Sequence, residues 1–389
     1  MPNARPSPFP ATADDYRRLA RRRLPRFLFD YVDGGAGREQ TLAANAAGFD
    51  ALKLRQRVLV DVGDIDTSTA LLGQPADLPL MLAPAGLAGM LARRGEVQAA
   101  RAADSRHLPM TVSTVGICPF AEVQAASRQP VWFQLYMLRD REAVGDILDQ
   151  VWADGCRTLV FTIDLPLPGM RHRDTRNGLG VPGLRAGLVR ARQVLARPRW
   201  LHDVALRGKP LTFGNLTRQV PDARNLDAFK AWVDGQFDPT VTWDDMDWLR
   251  KQWRGRLLLK GVMEADDARR AADSGADGLI VSNHGGRQLD PVAASIRKLP
   301  AIVDAVGDQL DVFVDGGIRG GADIFKALAL GARGALVGRA WLWALAAGGQ
   351  HGVESLVDAL QRELALTMNL CGVTRIADIN HHHLDGGPL

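Results

Sequence analysis

The run Val281-Ser-Asn-His-Gly-Gly-Arg-Gln-Leu-Asp290 sets a histidine and an arginine three residues apart in a glycine-rich turn. His284 can take a proton near neutral pH, and Arg287 can hold a carboxylate through two parallel hydrogen bonds. A base beside a carboxylate clamp suits proton transfer on a small carboxylic acid. A turn with a surface histidine and arginine is the plainer account of the same residues. A second run, Asp315-Gly-Gly-Ile-Arg-Gly-Gly321, and a third over residues 334–339 pair glycines with Arg319 and Arg339. Glycines admit close backbone approach, the helical stretch that follows offers free N–H groups, and the arginines add charge, a combination that suits a phosphate. Tight turns alone would also account for the glycines. The chain has no Walker lysine motif and no strand-led GxGxxG, which argues against nucleoside triphosphate and NAD sites.

Lys260 follows an apolar run in Leu-Leu-Leu-Lys-Gly. It could be a Schiff-base nucleophile, a stabiliser of anionic charge or a snorkelling surface residue. A phosphate-bearing cofactor in the same place favours the second. Tyrosine is rare, three residues against twelve phenylalanines. Tyr31 in Phe-Asp-Tyr-Val-Asp and Tyr136 in Trp-Phe-Gln-Leu-Tyr are therefore candidates for hydroxyl chemistry, with core packing the alternative.

These residues sit at the ends of short β-rich runs, each followed by a stretch of helical character. The runs are 78–84, 110–114, 131–136, 158–164, 257–262, 278–283, 312–316 and 335–338. Several are continuously apolar, as parallel strands buried on both faces require. The segments 96–105, 265–274 and 321–331 carry apolar residues at helical spacing. Eight strand–helix units predict an α/β fold, a single (β/α)8 barrel, in which the loops after strands seven and eight commonly bind phosphate. A doubly wound sheet is disfavoured because polar, glycine-rich residues follow nearly all eight runs. Residues 1–75, with six arginines between Arg17 and Arg26, are expected to form an N-terminal helical cap within the same domain. The barrel should occupy 76–389. It carries an insertion over about 175–240, after strand four, that is far longer than an ordinary βα connection.

Composition narrows the class further. The 389 residues are 46% hydrophobic and 24% charged, an ordinary folded chain. Three scattered cysteines, Cys118, Cys156 and Cys371, give no disulfide framework and no zinc ribbon, and fit a reducing cytoplasm. The short histidine run 381–383 lacks the mixed ligands and spacing of a zinc site, and no metal is expected. The first ten residues have no apolar core of a secretory signal, and the apolar run 78–92 is too short to span a bilayer. The net charge of +4 conceals a split. Residues 171–219 hold eleven Lys+Arg against two acidic residues, or +9, which leaves 37 basic and 42 acidic residues elsewhere, or −5.

Taken together, Ser-Asn-His-Gly-Gly-Arg-Gln-Leu-Asp, Asp-Gly-Gly-Ile-Arg, Phe-Gln-Leu-Tyr and Leu-Lys-Gly, in this chain, resemble the FMN-dependent 2-hydroxy-acid dehydrogenases and oxidases. The likeness runs from about residue 16 to 379 and is greatest to the bacterial membrane-associated, FMN-dependent L-lactate dehydrogenases. The segments 92–100 and 24–31 carry much of it. The resemblance implies that His284 abstracts a substrate proton and that Asp164 orients and stabilises its imidazolium. It implies that Arg287 and Arg171 clamp the substrate carboxylate with help from the Tyr31 hydroxyl, while Tyr136 contacts the substrate oxygen. Lys260 would stabilise the reduced flavin, and Ser113, Gln134 and Thr162 would hydrogen-bond its ring. Ala83, Pro84, Ala85 and Ser282 would complete the flavin contacts. Gly317, Arg319, Gly338 and Arg339 would hold the phosphate, with Asp315 near the ribityl chain.

Two departures refine this expectation. Many members carry Ala-Pro-Thr-Ala where this chain has Ala83-Pro-Ala-Gly86, and the last glycine is typical of members that react slowly with oxygen. Val115 stands where glycolate-oxidising members commonly carry tryptophan, which argues against glycolate. The expected activity is oxidation of an (S)-2-hydroxy acid, L-lactate to pyruvate, with electrons passed to a quinone or other membrane acceptor. The alternatives are an oxidase producing hydrogen peroxide, a mandelate-type dehydrogenase, a catalytically silent FMN-binding scaffold and an FMN-barrel isomerase.

Arg185, Arg190, Arg192, Arg197 and Arg199 alternate with Leu184, Leu188, Val189, Leu195 and Trp200. A basic amphipathic segment of this kind suits an anionic membrane surface, contacted through about 184–200. A nucleic-acid contact would look similar, but the expected acceptor lives in the membrane, so no nucleic-acid partner is expected. The expected place is the cytoplasmic side of the bacterial inner membrane, peripherally bound, as a homo-oligomer that the resemblance makes a tetramer.

Overall fold

The computed structural model describes residues 9–219 and 235–386, so part of the 175–240 insertion lies outside the described residues. Eight parallel strands form the barrel: β1 (Leu80–Leu82), β2 (Thr111–Ser113), β3 (Trp132–Leu135), β4 (Thr158–Thr162), β5 (Arg256–Val262), β6 (Gly278–Val281), β7 (Asp311–Asp315) and β8 (Gly334–Val337). From β2 to β8 each strand pairs with its sequence neighbour, and β8 returns to β1 through Ala335–Leu80 and Val337–Leu82. A parallel bridge from Leu82 to Met110, just before β2, closes the ring. The architecture is the expected (β/α)8 barrel, and each of the eight β-rich runs overlaps one strand to within two residues at either end.

Side-chain alternation along the strands decides what the barrel contains. Met81, Trp132, Val160, Leu258, Ile280, Phe313 and Leu336 form one buried apolar cluster in the interior. Its floor is a two-stranded hairpin, Thr69–Leu71 with Gln74–Ala76, which adds Leu71, Leu72 and Ala76. Trp132 is fixed there by an indole N–H donated to Gln74 Oε1 at 3.2 Å. Two residues further along each strand, on the same inward face, stand Ala83, Ser113, Gln134, Thr162, Lys260, Ser282, Asp315 and Gly338. The interior thus changes from apolar to polar in one step, at the carboxyl ends of the strands. This is the end where such barrels place their chemistry.

Around the strands lies a larger core shared with the helices. Helix Ala13–Arg23 begins with a capping box in which Thr12 and Asp15 satisfy each other's backbone N–H groups. It packs along the C-terminal helix Arg339–Cys371, which breaks at Gly349. Helix Arg26–Asp33 buries Phe27, Leu28, Phe29 and Val32, and so lays Tyr31 across the barrel mouth. Asp33 ties this helix down. Its carboxylate lies 2.5 Å from Arg17 and 2.9 Å from Arg173, the latter on the chain leaving β4.

The insertion leaves after β4 and is largely helical in its described part, with helices His172–Arg176 and Leu184–Leu195. Trp200, read from sequence with the amphipathic surface, is buried instead and donates its indole N–H to Met90 O at 2.8 Å. Leu184, Leu188 and Leu195 stay exposed. Their spacing of four and seven residues sets them on one side of the helix.

Candidate active site

A cavity of about 410 Å³ opens at the carboxyl ends of the strands, within the size range of small-molecule and cofactor sites. Tyr31, Ala83, Pro84, Ala85, Tyr136, Thr162, Arg171, Lys260, His284, Arg287, Asp315, Gly317, Arg319, Gly338 and Arg339 all line it. Asp164 stands behind His284. Ser113, Gln134 and Ser282 are buried in the polar tier without lining the cavity themselves.

His284 has a left-handed backbone, φ +56°, at the head of a turn continued by Gly285 and Gly286. That conformation costs a non-glycine residue about 1–2 kcal/mol, and it turns the ring into the cavity. His284 Nδ1 lies 2.9 Å from Asp164 Oδ1. An ionised carboxylate only accepts, so Nδ1 carries the proton and Nε2 is left free to act as a base. Burial pushes the imidazole below its ordinary value, with Lys260 and Arg287 acting in the same direction and Asp164 opposing them. Burial pushes Asp164 up, but His284 and Lys260 outweigh it and hold the carboxylate below its usual range. The resting pair is a neutral imidazole on an anionic carboxylate. Asp164 can come this close because residue 261 is glycine, at φ +114°. A Cβ there would fall 2.6 Å from Asp164 Cβ.

In the same cavity the Tyr31 ring is flanked by two guanidinium groups, Arg287 at 4.9 Å and Arg171 at 5.6 Å from its centroid. Arg287 also donates to Tyr31 O at 2.5 Å and Gly34 O at 3.2 Å, which fixes it against the capping helix. Burial, reinforced by Arg171, pushes Arg287 down to about 10, still cationic at neutral pH. Tyr136 enters from the β3 side. Burial pushes its hydroxyl well above the ordinary range, and Asp164 and Tyr31 add to this.

At the strand seven and eight side, Lys260 Nζ donates to Ser282 Oγ at 2.9 Å and pairs with Asp315 Oδ2 at 3.1 Å. Burial would lower this lysine, but Asp315 and Asp164 keep it charged. Arg339 donates to Gly34 O at 2.9 Å, and Arg319 lies 4.9 Å over the Trp343 ring. Burial lowers both guanidinium groups. For Arg339 the repulsion of Arg287 and Arg319 adds to it. A buried cluster of mutually repelling cations is a site built for anions.

The family model for FMN-dependent dehydrogenases matches residues 20–386. The chain belongs to the FMN-dependent dehydrogenase family. It is 50% identical over 370 residues to an L-lactate dehydrogenase of Caulobacter sp. (strain K31), covering 95% of this chain and 97% of that one. An L-lactate dehydrogenase of Alcaligenes faecalis is 48% identical over 369 residues, covering 95% of this chain and 97% of its own. Among solved structures, the monotopic membrane protein (S)-mandelate dehydrogenase superposes with a TM-score of 0.91 at 33% identity, covering 97% of this chain and 99% of that one. The enzyme is an FMN-dependent oxidoreductase.

The residues present fit FMN. Three buried polar atoms in the polar tier and at its edge lack a partner among the described residues: Gln134 Nε2, Asp315 Oδ1 and Arg339 Nε. Ser113 donates to Gln134 Oε1 at 2.8 Å and so orients the amide with its N–H groups free. Polar atoms buried this way call for a ligand with matching acceptors and donors. At Gly338 a Cβ would meet only Ala83 Cβ, at 3.9 Å, so it would project into open space rather than into the protein. Gly317, at φ +102°, packs so close to Asn45 that a Cβ would fall 2.3 Å from Asn45 O.

The cavity of this FMN-dependent dehydrogenase is also lined by residues that sequence reasoning did not single out. Phe213 and Phe237 line the cavity from the insertion, together with Leu165, Met170 and Leu179. Their types and spacing carry no chemical signal. The two phenylalanines reach the site because the insertion folds back onto the ends of β2 and β3.

Proposed function

We propose that this FMN-dependent dehydrogenase oxidises an (S)-2-hydroxy acid, L-lactate to pyruvate, and passes the electrons to a membrane quinone. The observation that carries the reading is that His284, held by Asp164, lines one cavity together with Arg287, Arg171 and Tyr31. Arg287 and Arg171 hold the substrate carboxylate, with the Tyr31 hydroxyl beside it, and Tyr136 contacts the substrate oxygen. His284 Nε2 takes a proton from the substrate, and Asp164 stabilises the imidazolium that results. FMN, when bound, supplies the two-electron acceptor. Gln134, Ser113, Thr162 and Ser282 would orient its ring, and Ala83, Pro84 and Ala85 would pack against it. Lys260 offers positive charge where negative charge accumulates. Gly317, Arg319, Gly338 and Arg339 would hold the FMN phosphate, and Asp315 would serve the ribityl chain. Within the expected cap of residues 1–75, the helices between Ala13 and Ala51 belong to the barrel's own folding unit, while the hairpin from Thr69 forms its floor.

The relatives named L-lactate dehydrogenase support lactate. A bulkier 2-hydroxy acid is the second reading, supported by the apolar Leu165, Met170 and Leu179 on the cavity wall. The exposed Leu184, Leu188 and Leu195 beside the basic helix support a peripheral place on an anionic membrane, on the cytoplasmic side of the inner membrane. Among the described residues no helix is long and apolar enough to cross a membrane. Assembly into a homo-tetramer belongs to the same reading.

The test is anaerobic mixing of the yellow protein with L-lactate, D-lactate, L-mandelate or glycolate while flavin absorbance is followed. Bleaching with L-lactate and not D-lactate is expected. Failure to bleach with every 2-hydroxy acid would refute the activity. Reoxidation slower by air than by a quinone analogue is expected of a dehydrogenase, and the reverse order would make the enzyme an oxidase.

A further inference from the structure

The chain returning from the insertion is bound to the exit of β3 over three consecutive residues. Phe237 forms an antiparallel bridge with Leu138. The Arg139 amide donates to Gln236 O at 2.9 Å, and its guanidinium donates to Phe237 O at 3.3 Å. Asp238 pairs with Arg141 at 2.7 Å, and the same guanidinium reaches Asp245 at 2.9 Å. Ordering this connection costs conformational entropy, and the burial of Phe237 in the core offsets part of it. What the clamp delivers is the Phe237 ring. That ring is only 7% exposed, lines the cavity, and meets the Tyr136 ring edge-on at 5.3 Å and 84°.

Tyr136 itself comes from β3, and its backbone N–H is held by Thr114 Oγ1 at 3.2 Å. Its ring has one flank on Phe237. An edge-to-face pair of this kind contributes beyond simple area burial and prefers a narrow range of ring tilts. The ring that fixes a substrate-contacting phenol therefore also occupies wall space beside the substrate. No charged or hydrogen-bonding group of Phe237 can take part in the reaction, so its influence is steric and through Tyr136.

We infer that Phe237 is a positioning and specificity-determining residue: it holds the Tyr136 hydroxyl in register with the substrate oxygen and limits the side chain of the 2-hydroxy acid accepted. The inference rests on the proposed 2-hydroxy-acid activity, and the experiment separates the two. Wild-type holoenzyme is first assayed with L-lactate, L-2-hydroxybutyrate, L-2-hydroxyhexanoate and L-mandelate. Loss of the activity reading would appear here, as no turnover with any acid.

Phe237→Ala and Phe237→Leu are then compared at matched flavin content. The ratio of kcat/KM for L-2-hydroxyhexanoate or L-mandelate to that for L-lactate should rise about tenfold or more, the scale on which a pocket discriminates by methylene-sized groups. The kcat for L-lactate should fall about three- to tenfold with a smaller change in KM, as expected when a group acting in the transition state is misplaced. Phe237→Tyr, which keeps the ring, should recover most of that kcat. In a Tyr136→Phe background the Phe237→Ala loss in lactate kcat should largely disappear, because the effect passes through the phenol. If Phe237→Ala does not accumulate as yellow protein, Phe237→Leu carries the comparison. An unchanged substrate ratio in an active, flavin-replete Phe237→Leu enzyme, or an undiminished loss in the Tyr136→Phe background, would overturn the inference.

Discussion

Asp164 Oδ1 lies 2.9 Å from His284 Nδ1, although the two residues stand 120 positions apart in the chain. The contact joins the ends of β4 and β6 across β5, and Gly261 makes room for it. It assigns the imidazole one tautomer and one orientation, which a base needs before any substrate arrives.

Asp164→Asn should therefore lower kcat about a hundredfold or more while FMN stays bound, the usual scale for general acid–base catalysis. An asparagine amide can turn its N–H groups toward Nδ1 and favour the wrong tautomer. Stopped-flow flavin reduction with L-lactate measures it.

The pH profile follows from the same pair. His284 is held below its ordinary value of 6.5, chiefly by burial, so the free base persists through neutral pH. Activity should be flat near neutrality and decline only below that value, as the ring takes a proton. Asp164 raises the imidazole against the other influences, so removing its charge moves the acid limb of kcat/KM to still lower pH. An acid limb moved upward in Asp164→Asn would contradict this.

Much of this site was legible in the chain because glycine and arginine at strand ends are expensive choices with a recognisable purpose. His284, Arg287, Arg319 and Arg339 could be picked out by type and spacing. The polar tier was not seen as a tier. Its eight members, from Ala83 to Gly338, each follow an inward-facing strand residue by two positions. That regularity has meaning only once the barrel is closed and all eight strands share one interior. Phe213 and Phe237 stayed hidden for a different reason. They reach the cavity through tertiary folding of the insertion, and nothing in their neighbours marks that return. Trp200 misled because a tryptophan among arginines fits a membrane surface, whereas its indole N–H is satisfied by a buried carbonyl.

Arg287→Lys should raise the KM for L-lactate about tenfold or more, the equivalent of one charge-assisted hydrogen bond. A lysine keeps the charge but loses both the fork and the stacking on Tyr31, at 4.9 Å here. Steady-state kinetics with a dye acceptor decide it, and an unchanged KM would show that Arg287 does not hold the carboxylate.

Gly338→Val should lower the flavin-to-protein ratio without comparable loss of fold. The backbone at Gly338 has φ −107°, so no left-handed conformation is lost, and the new side chain enters open space beside Ala83. Flavin released on denaturation, read against thermal unfolding of the apoprotein, separates the two effects.

Asp33 links the cap to the chain leaving β4 through Arg17 and Arg173. Asp33→Asn should destabilise the enzyme by about 1–3 kcal/mol, reduced from a fully buried pair because the arginines are partly exposed. Burial raises the Asp33 carboxyl, but Arg17 and Arg173 outweigh it and hold it below the usual range. A depressed carboxyl contributes stability that is present above the unfolded-state value and lost as pH falls through the folded one. The gap between wild type and variant should hold from about pH 5 to 8 and narrow below about pH 4. Denaturant midpoints across that range check it.

The arginines of the insertion are not equivalent, which decides how membrane binding is tested. Arg190 donates to Gly178 O at 2.6 Å and Arg197 to Leu24 O at 3.0 Å, so both hold the helix to the enzyme. Arg185, Arg192 and Arg199 are exposed, as are Leu184, Leu188 and Leu195. Replacing the three exposed arginines by glutamine should weaken binding to anionic vesicles about fivefold for each charge removed, and less at high salt. Flavin reduction by L-lactate should be spared, since none of the three lines the cavity. Leu188→Asp on the same surface should weaken binding to neutral and anionic vesicles alike. Vesicle binding that survives all four substitutions would remove this helix as the membrane contact.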